Sequence, residues 1–274
     1  MCARYHHIVS IHGVPRSGTS WLGKIFSSHS NVAYRFQPLF SYRFKNRISL
    51  DSNEHDVQTF LHELYDVKDD DFILGNWLKV EEPDMPVLQK EDFPSVMVMK
   101  EVRYHHLIEK LLNSEHELQV IGIVRNPCAV ISSWFQAPRE FKKEWDPLNE
   151  WRFAQSKNQG SIEEFYGFEK WKEVASLFLD LQVRYPERFL LIQYEHLVED
   201  PVNIISNVFS FVELKMEKQV TAFIKASQSV HVDDAYAVHK DPSVKSRWQL
   251  QLDPRIAREI IEELRGTNLE RFLI

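Results

Sequence analysis

The stretch Tyr5-His-His-Ile-Val-Ser-Ile-His-Gly-Val-Pro-Arg-Ser-Gly-Thr-Ser-Trp21 decides how the rest of the chain is read. Its first half, Tyr5 to Ile11, is short, apolar and partly β-branched, and it stops at His12-Gly13, as a buried strand does. From Gly18 to Ser28, Trp21, Leu22, Ile25 and Phe26 recur at helical spacing. The intervening loop would point successive backbone N–H groups at one spot, with the positive end of a helix behind them. Gly13 and Gly18 keep the spacing of a nucleotide phosphate loop, but Thr19 stands where that motif requires lysine. Arg16 can supply the missing cation from within the loop. The competing reading is a plain strand-to-helix turn with glycines for geometry.

Outward from this unit, apolar strands alternate with helical stretches. Val32 to Phe36 reads as a strand closed by Pro38, and Glu54 to Tyr65 as a helix. Val96 to Met99 is a strand followed by a helix from Tyr104 to Leu112. Val120-Ile-Gly-Ile-Val124 is the clearest buried strand, and Asn126-Pro127 supply N-cap and N1 residues for the helix after it. A helical stretch from Ile162 to Arg184, a strand from Phe189 to Ile192, and helices from Pro201 to Val212 and Pro254 to Leu264 complete the order, with Gly266 as the last stop. This alternation predicts an α/β domain with a mainly parallel sheet covered on both faces. One domain over 1–274 suits the length, with the charged, aromatic stretch 139–160 as an insertion or lid over the sheet.

The second chemical segment is Arg125-Asn-Pro-Cys-Ala-Val-Ile-Ser-Ser133, again where a buried strand gives way to a helix. Arg125 is a fixed cation, and Ser133 lies about two helical turns on, where its hydroxyl can meet the same anion; Ser132 points elsewhere. Arginine in such a place is also a common ion-pair partner. Together the two segments describe two anion sites on one sheet edge, as a nucleotide phosphorylated at both 5′ and 3′ positions needs. The charge balance, 33 basic against 40 acidic residues for a net −7, speaks against a nucleic-acid or anionic-membrane coat.

These segments resemble the sulfotransferases that use 3′-phosphoadenosine-5′-phosphosulfate (PAPS), with the carbohydrate and bacterial members nearest. Three further segments share the resemblance: Met99-Lys-Glu-Val-Arg103, Gln193-Tyr-Glu-His-Leu197 with Asp200-Pro201, and Lys245-Ser-Arg-Trp248. The resemblance implies a P-loop NTPase-like three-layer domain, PAPS as co-substrate, 3′-phosphoadenosine 5′-phosphate (PAP) as product, and no metal. It assigns the 5′-phosphosulfate to Arg16, Ser17, Gly18, Thr19 and Ser20, and a second cation at the sulfonyl group to Lys100. It sets Trp21 against adenine, with Tyr194 near the same base, and Lys245 and Arg247 beside Arg125 and Ser133 at the 3′-phosphate. For Trp21 a core position is the equal alternative; for Lys245 and Arg247 it is a solvated turn. Gln37 and Arg103 fall on the acceptor side, and Arg35, Arg43, Lys45 and Arg47 lie near the same presumed cleft.

A hydroxyl acceptor wants a general base. Carbohydrate relatives place a glutamate where this chain has Gln37, and the small-molecule branch a histidine where it has Val102. The substitutes are Glu101, although strand alternation turns it away from Lys100, His12, and the His105–His106 pair. The leading expectation is sulfonyl transfer from PAPS to a hydroxyl, on a carbohydrate or glycolipid. A PAPS- or PAP-binding module without transfer is the second reading and a P-loop kinase the third, opposed by the missing loop lysine. Two cysteines (Cys2, Cys128), an N-terminus without a signal-peptide core, and no run of about 18 apolar residues predict a cytoplasmic protein without a membrane span.

Overall fold

The computed structural model describes residues 5–76, 86–229 and 246–274. Five strands form one sheet: β1 (His7–His12), β2 (Val32–Phe36), β3 (Val96–Glu101), β4 (Leu118–Val124) and β5 (Phe189–Gln193), in the order β2-β3-β1-β4-β5. Every neighbouring pair is parallel; Ile11 lies opposite Lys100 on one side and Ile121 on the other. The carboxyl ends of all five strands therefore share one edge, and the chain reverses its winding at β1, where ligands of open α/β sheets collect.

Side-chain alternation splits the core into two layers. Val9 and Ile11 of β1, with Val96 and Val98 of β3, face helices α1 (Thr19–Ser27), α8 (Tyr194–Glu199), α9 (Pro201–Phe211) and α10 (Lys218–Ser229). Ile8, Met97, Met99 and Val120 face α2 (Glu54–Tyr65), α3 (Ile108–Ser114), α4 (Pro127–Phe135), α7 (Phe168–Arg184) and α12 (Pro254–Leu264). A helix layer on each face of a parallel sheet is the three-layer arrangement the alternation predicted.

Several elements fall where local signals put them. Asn53 caps α2 in a reciprocal capping box with Asp56, and Asn126 caps α4 by accepting from the N–H groups of Cys128 and Ala129. Two expectations need correction. The helix read from Ile162 begins at Phe168, because Gly167 holds φ 89° and lies so close to Arg152 that a Cβ would sit 2.8 Å from its carbonyl oxygen. The helix read from Tyr104 opens as a 3-10 turn, His105–Leu107, before α3. Within 139–160, the short helices α5 (Pro147–Glu150) and α6 (Gln155–Asn158) lie on the α7 side, and Phe141 and Trp151 reach into the core. Among the described residues no helix is long and apolar enough to cross a membrane.

Candidate active site at the carboxyl edge of the sheet

The loop between β1 and α1 turns on two left-handed residues, Arg16 (φ 75°) and Gly18 (φ 92°). At Gly18 a side chain is excluded twice over. Its backbone is one that only glycine adopts readily, and a Cβ would sit 2.3 Å from the Tyr194 ring. The strained Arg16 backbone turns its carbonyl toward Arg125, whose Nη1 donates to it at 3.0 Å. Arg16 in turn donates through Nε to Ser133 Oγ at 3.1 Å, across 117 residues of sequence. The two anion segments read from sequence are thus one structure. Ser132, a residue earlier, is buried and takes no part in that contact.

Tyr194 backs this assembly. Its ring lies under the Arg125 guanidinium at 4.7 Å and against Gly18, while the neighbouring Glu195 accepts from the Asn126 N–H at 2.9 Å. The Gln193-to-Leu197 segment therefore fixes the start of α4 and the floor of the loop at once. Among the described residues the Arg125 Nε and Ser17 Oγ are buried without hydrogen-bond partners. Buried donors of this kind cost free energy unless an acceptor meets them, and a phosphorylated nucleotide supplies one. The residues present fit that group. Thr19 is buried and Ser20 half-buried at the first turn of α1.

Lys100, the penultimate residue of β3, is almost fully buried, its ammonium 4.2 Å from the centre of the Phe36 ring. Burial pushes its pKa down to about 7, with Glu101 and Glu140 acting upward and Arg103 and Arg16 downward. Arg103 donates through Nη1 to Gln37 Oε1 at 3.0 Å and through Nε to Glu164 at 3.0 Å, and covers the Phe40 ring at 4.0 Å. Gln37 and Arg103, expected on the acceptor side, thus hold one another. Trp21 lies in the core between α1 and α10, its indole N–H donating to Ser227 at 3.0 Å. Arg247 sits at the start of α11 (Trp248–Gln251), and Lys245 lies outside the described residues.

The substitutes expected for the base are not placed for that role. Glu101 is fully buried and accepts from the Leu39 N–H at 2.9 Å; burial pushes its pKa up to about 8, so at neutral pH it holds its proton and anchors the Pro38–Phe40 turn. His12 contacts Ser10 through Nε2 at 2.8 Å and His105 through Nδ1 at 3.1 Å, and burial drives its pKa down to about 3. Its partner His105 is lowered well below the usual range by burial and by His12 itself. Both rings stay neutral inside the core. His106 also falls below the usual range on burial. The expected acceptor cations are likewise structural: Arg35 donates to the carbonyls of Leu64 and Tyr34, while Arg43 pairs with Asp69 and Arg47 with Glu63; Lys45 is exposed.

Two carboxylates missed in the sequence do face this region. Glu164 is held by Arg103, and Glu140 acts on Lys100, Arg103 and Tyr166. Neither sits in a motif; for Glu140 the one signal was the charged, aromatic composition of 139–160, and Glu164 lies beyond that stretch.

The comparisons with known proteins agree with this geometry. A sulfotransferase domain model matches residues 7–259, and the chain belongs to that family. Carbohydrate sulfotransferase 3 of Tetronarce californica is 29% identical over 149 residues, covering 52% of this chain and 33% of the relative. The chain thus matches about a third of that relative's length. Mouse sulfotransferase SULT7A1, solved with PAP, superposes with a TM-score of 0.57 at 14% identity, covering 98% of this chain and 87% of its own. The sulfotransferase domain of the Synechococcus PCC 7002 olefin synthase gives 0.53 at 16%, covering 95% and 94%. The chain is a sulfotransferase-family domain by class, and the kinase reading falls with that assignment. Among the described residues no group of His, Cys, Asp and Glu is arranged to hold a metal.

Proposed function

We propose that this sulfotransferase moves the sulfonyl group from PAPS to a hydroxyl of a carbohydrate or glycolipid. The observation that carries the donor side is the convergence of Arg16, Ser133, Arg125 and Tyr194 on one strand edge, with the Arg125 Nε and Ser17 Oγ buried and partnerless. The carbohydrate leaning is supported by the Lys100-Glu-Val-Arg103 segment and by the partial likeness to a carbohydrate sulfotransferase.

In this reading the loop amides from Arg16 to Ser20 and the hydroxyls of Ser17, Thr19 and Ser20 hold the 5′ end of the nucleotide. Arg125, Ser133 and Arg247 hold the 3′-phosphate. PAPS, when bound, supplies an activated sulfonyl group on a phosphate leaving group. Arg16 and Lys100 set positive charge where negative charge grows on the bridging oxygen as the S–O bond breaks. Phe36 and burial keep water from Lys100 and strengthen its field.

Calorimetry with PAP, followed by transfer from labelled PAPS over a panel of neutral glycans, glycolipids and phenols, tests this. Binding of PAP with transfer to a sugar hydroxyl is the expected result. Transfer to phenols with none to any glycan would overturn the acceptor class. A binding module without transfer is the second reading, favoured by Gln37 at the family's base position and its bond to Arg103; PAP binding with no transfer to any acceptor would establish it.

A further inference from the structure

Gln37 stands where a proton acceptor is expected, yet its surroundings make it a donor. We propose that the Gln37 carboxamide holds the acceptor oxygen by donating an N–H to it, so that acceptors are selected by how readily they give up their own proton. The inference rests on the sulfonyl-transfer reading but not on the acceptor being a sugar.

Gln37 directly follows β2, and its main chain is fixed on both sides at the carboxyl edge of the sheet. Its N–H donates to the Lys100 carbonyl at 2.8 Å, and its carbonyl accepts the Phe40 N–H at 3.0 Å. Between them the backbone is left-handed (φ 41°), a conformation that costs free energy in a residue other than glycine and persists only where the surroundings impose it. They do so here: Glu101 grips the next turn through the Leu39 N–H, and Arg103 takes the Gln37 side chain. Gln37 is 8% exposed and Arg103 6%, so their bond is made inside the protein.

A guanidinium carries donors only, so this contact fixes which end of the amide faces it. Oε1 is turned to Arg103 Nη1 at 3.0 Å, which leaves Nε2 on the other side. Arg103 is itself held, by Glu164 at 3.0 Å from its Nε and by the Phe40 ring at 4.0 Å. Among the described residues nothing accepts from Gln37 Nε2, and that atom is not sealed from solvent. A fixed donor beside the strand end that carries Lys100 matches the lone pair of an acceptor oxygen, and it offers that acceptor no basic atom. In the step itself the acceptor oxygen bonds to sulfur and the acceptor's proton passes to water. The bond from sulfur to the 5′-phosphate oxygen breaks, and PAP leaves with that electron pair.

Gln37→Glu keeps the shape of the side chain and the bond from Arg103 but puts a carboxylate oxygen where the free donor was. The experiment compares it with wild type and Gln37→Met. Transfer from PAPS to 4-nitrophenol, phenol and lactose is followed at mildly alkaline pH, where 4-nitrophenol is largely ionised and the other two are not. PAP affinity is measured separately by calorimetry and should stay within twofold in both variants. Gln37→Glu should lose about tenfold with 4-nitrophenol and gain about tenfold or more with phenol and lactose, because a carboxylate repels a phenolate but takes the proton of a neutral hydroxyl. Gln37→Met, with neither donor nor base, should raise KM for all three acceptors. A readout independent of turnover is the spectrum of 4-nitrophenol bound beside PAP: the phenolate band should be strongest in wild type and fall in both variants. Losses shared by all three acceptors in Gln37→Glu, no change with any, or an unchanged phenolate band would overturn the assignment while transfer itself stands. PAP binding with no transfer by wild type or Gln37→Glu would overturn the transfer reading and the assignment with it. Wild type failing to bind PAP would instead strike at the donor reading.

Discussion

Arg125 spends Nη1 on the Arg16 carbonyl, rests on the Tyr194 ring and leaves Nε buried without a partner among the described residues. Changing it to alanine should weaken PAP by about 1.5–3 kcal/mol, the worth of a charge-assisted hydrogen bond. Adenosine 5′-phosphosulfate, which lacks the 3′-phosphate, should scarcely respond. Calorimetry with both nucleotides checks this, and equal losses would make Arg125 structural. Lys100 carries a second prediction. Its folded pKa of about 7 lies below the ordinary 10.5, so between those values the unfolded chain binds the extra proton. Stability therefore rises with pH across that window, and below it the buried charge costs its full penalty. Lys100→Met should raise the melting temperature at pH 7 and weaken PAP. It should also flatten the decline in PAP affinity expected in wild type as pH rises above 7 and the ammonium loses its proton. Melting curves and calorimetry between pH 6 and 9 read both effects.

At the scale of elements, the phosphate loop depends on Gly18 and the end of α2 on Arg35. Gly18→Ala forces a side chain into the Tyr194 ring at φ 92°, so it should cost at least about 1 kcal/mol of stability and lower PAP affinity tenfold or more. Arg35 donates to Leu64, Tyr65 and Val67 carbonyls around the last turn of α2 and to Tyr34 of β2. Arg35→Met leaves those acceptors without a charged donor. It should cost about 1–3 kcal/mol in urea unfolding while PAP affinity stays within twofold. A loss of affinity with no loss of stability would return Arg35 to the site. The elements legible in sequence were those with local signals: β2, α2 and α12 begin and end where Pro38, the spacing of Val57, Phe60, Leu61 and Leu64, and Pro254 put them. The start of α7 was not legible, because the break at Gly167 is made by contact with Arg152 rather than by its neighbours in sequence.

For the whole molecule, a net charge of −7 coexists with cations gathered at one sheet edge, Arg16, Lys100, Arg103 and Arg125. PAP should raise the melting temperature, with a stabilisation near 2.7 kcal/mol at a hundredfold excess over its dissociation constant. ADP, lacking the 3′-phosphate, should do less at equal concentration, and a thermal-shift titration reads the difference.

The sequence by itself determined the parallel α/β order, the phosphate loop without its lysine, and the two anion segments, because periodicity, caps and loop glycines act over a few residues. Only the tertiary structure decided how the chemistry is shared out. It drew Ser133 to Arg16 across 117 residues, closed His12 onto His105, and tied Glu101 to Leu39 and Arg103 to Gln37. Burial and partnership set whether a carboxylate or imidazole can take a proton. Both belong to the packed molecule, since each depends on residues far apart in the chain.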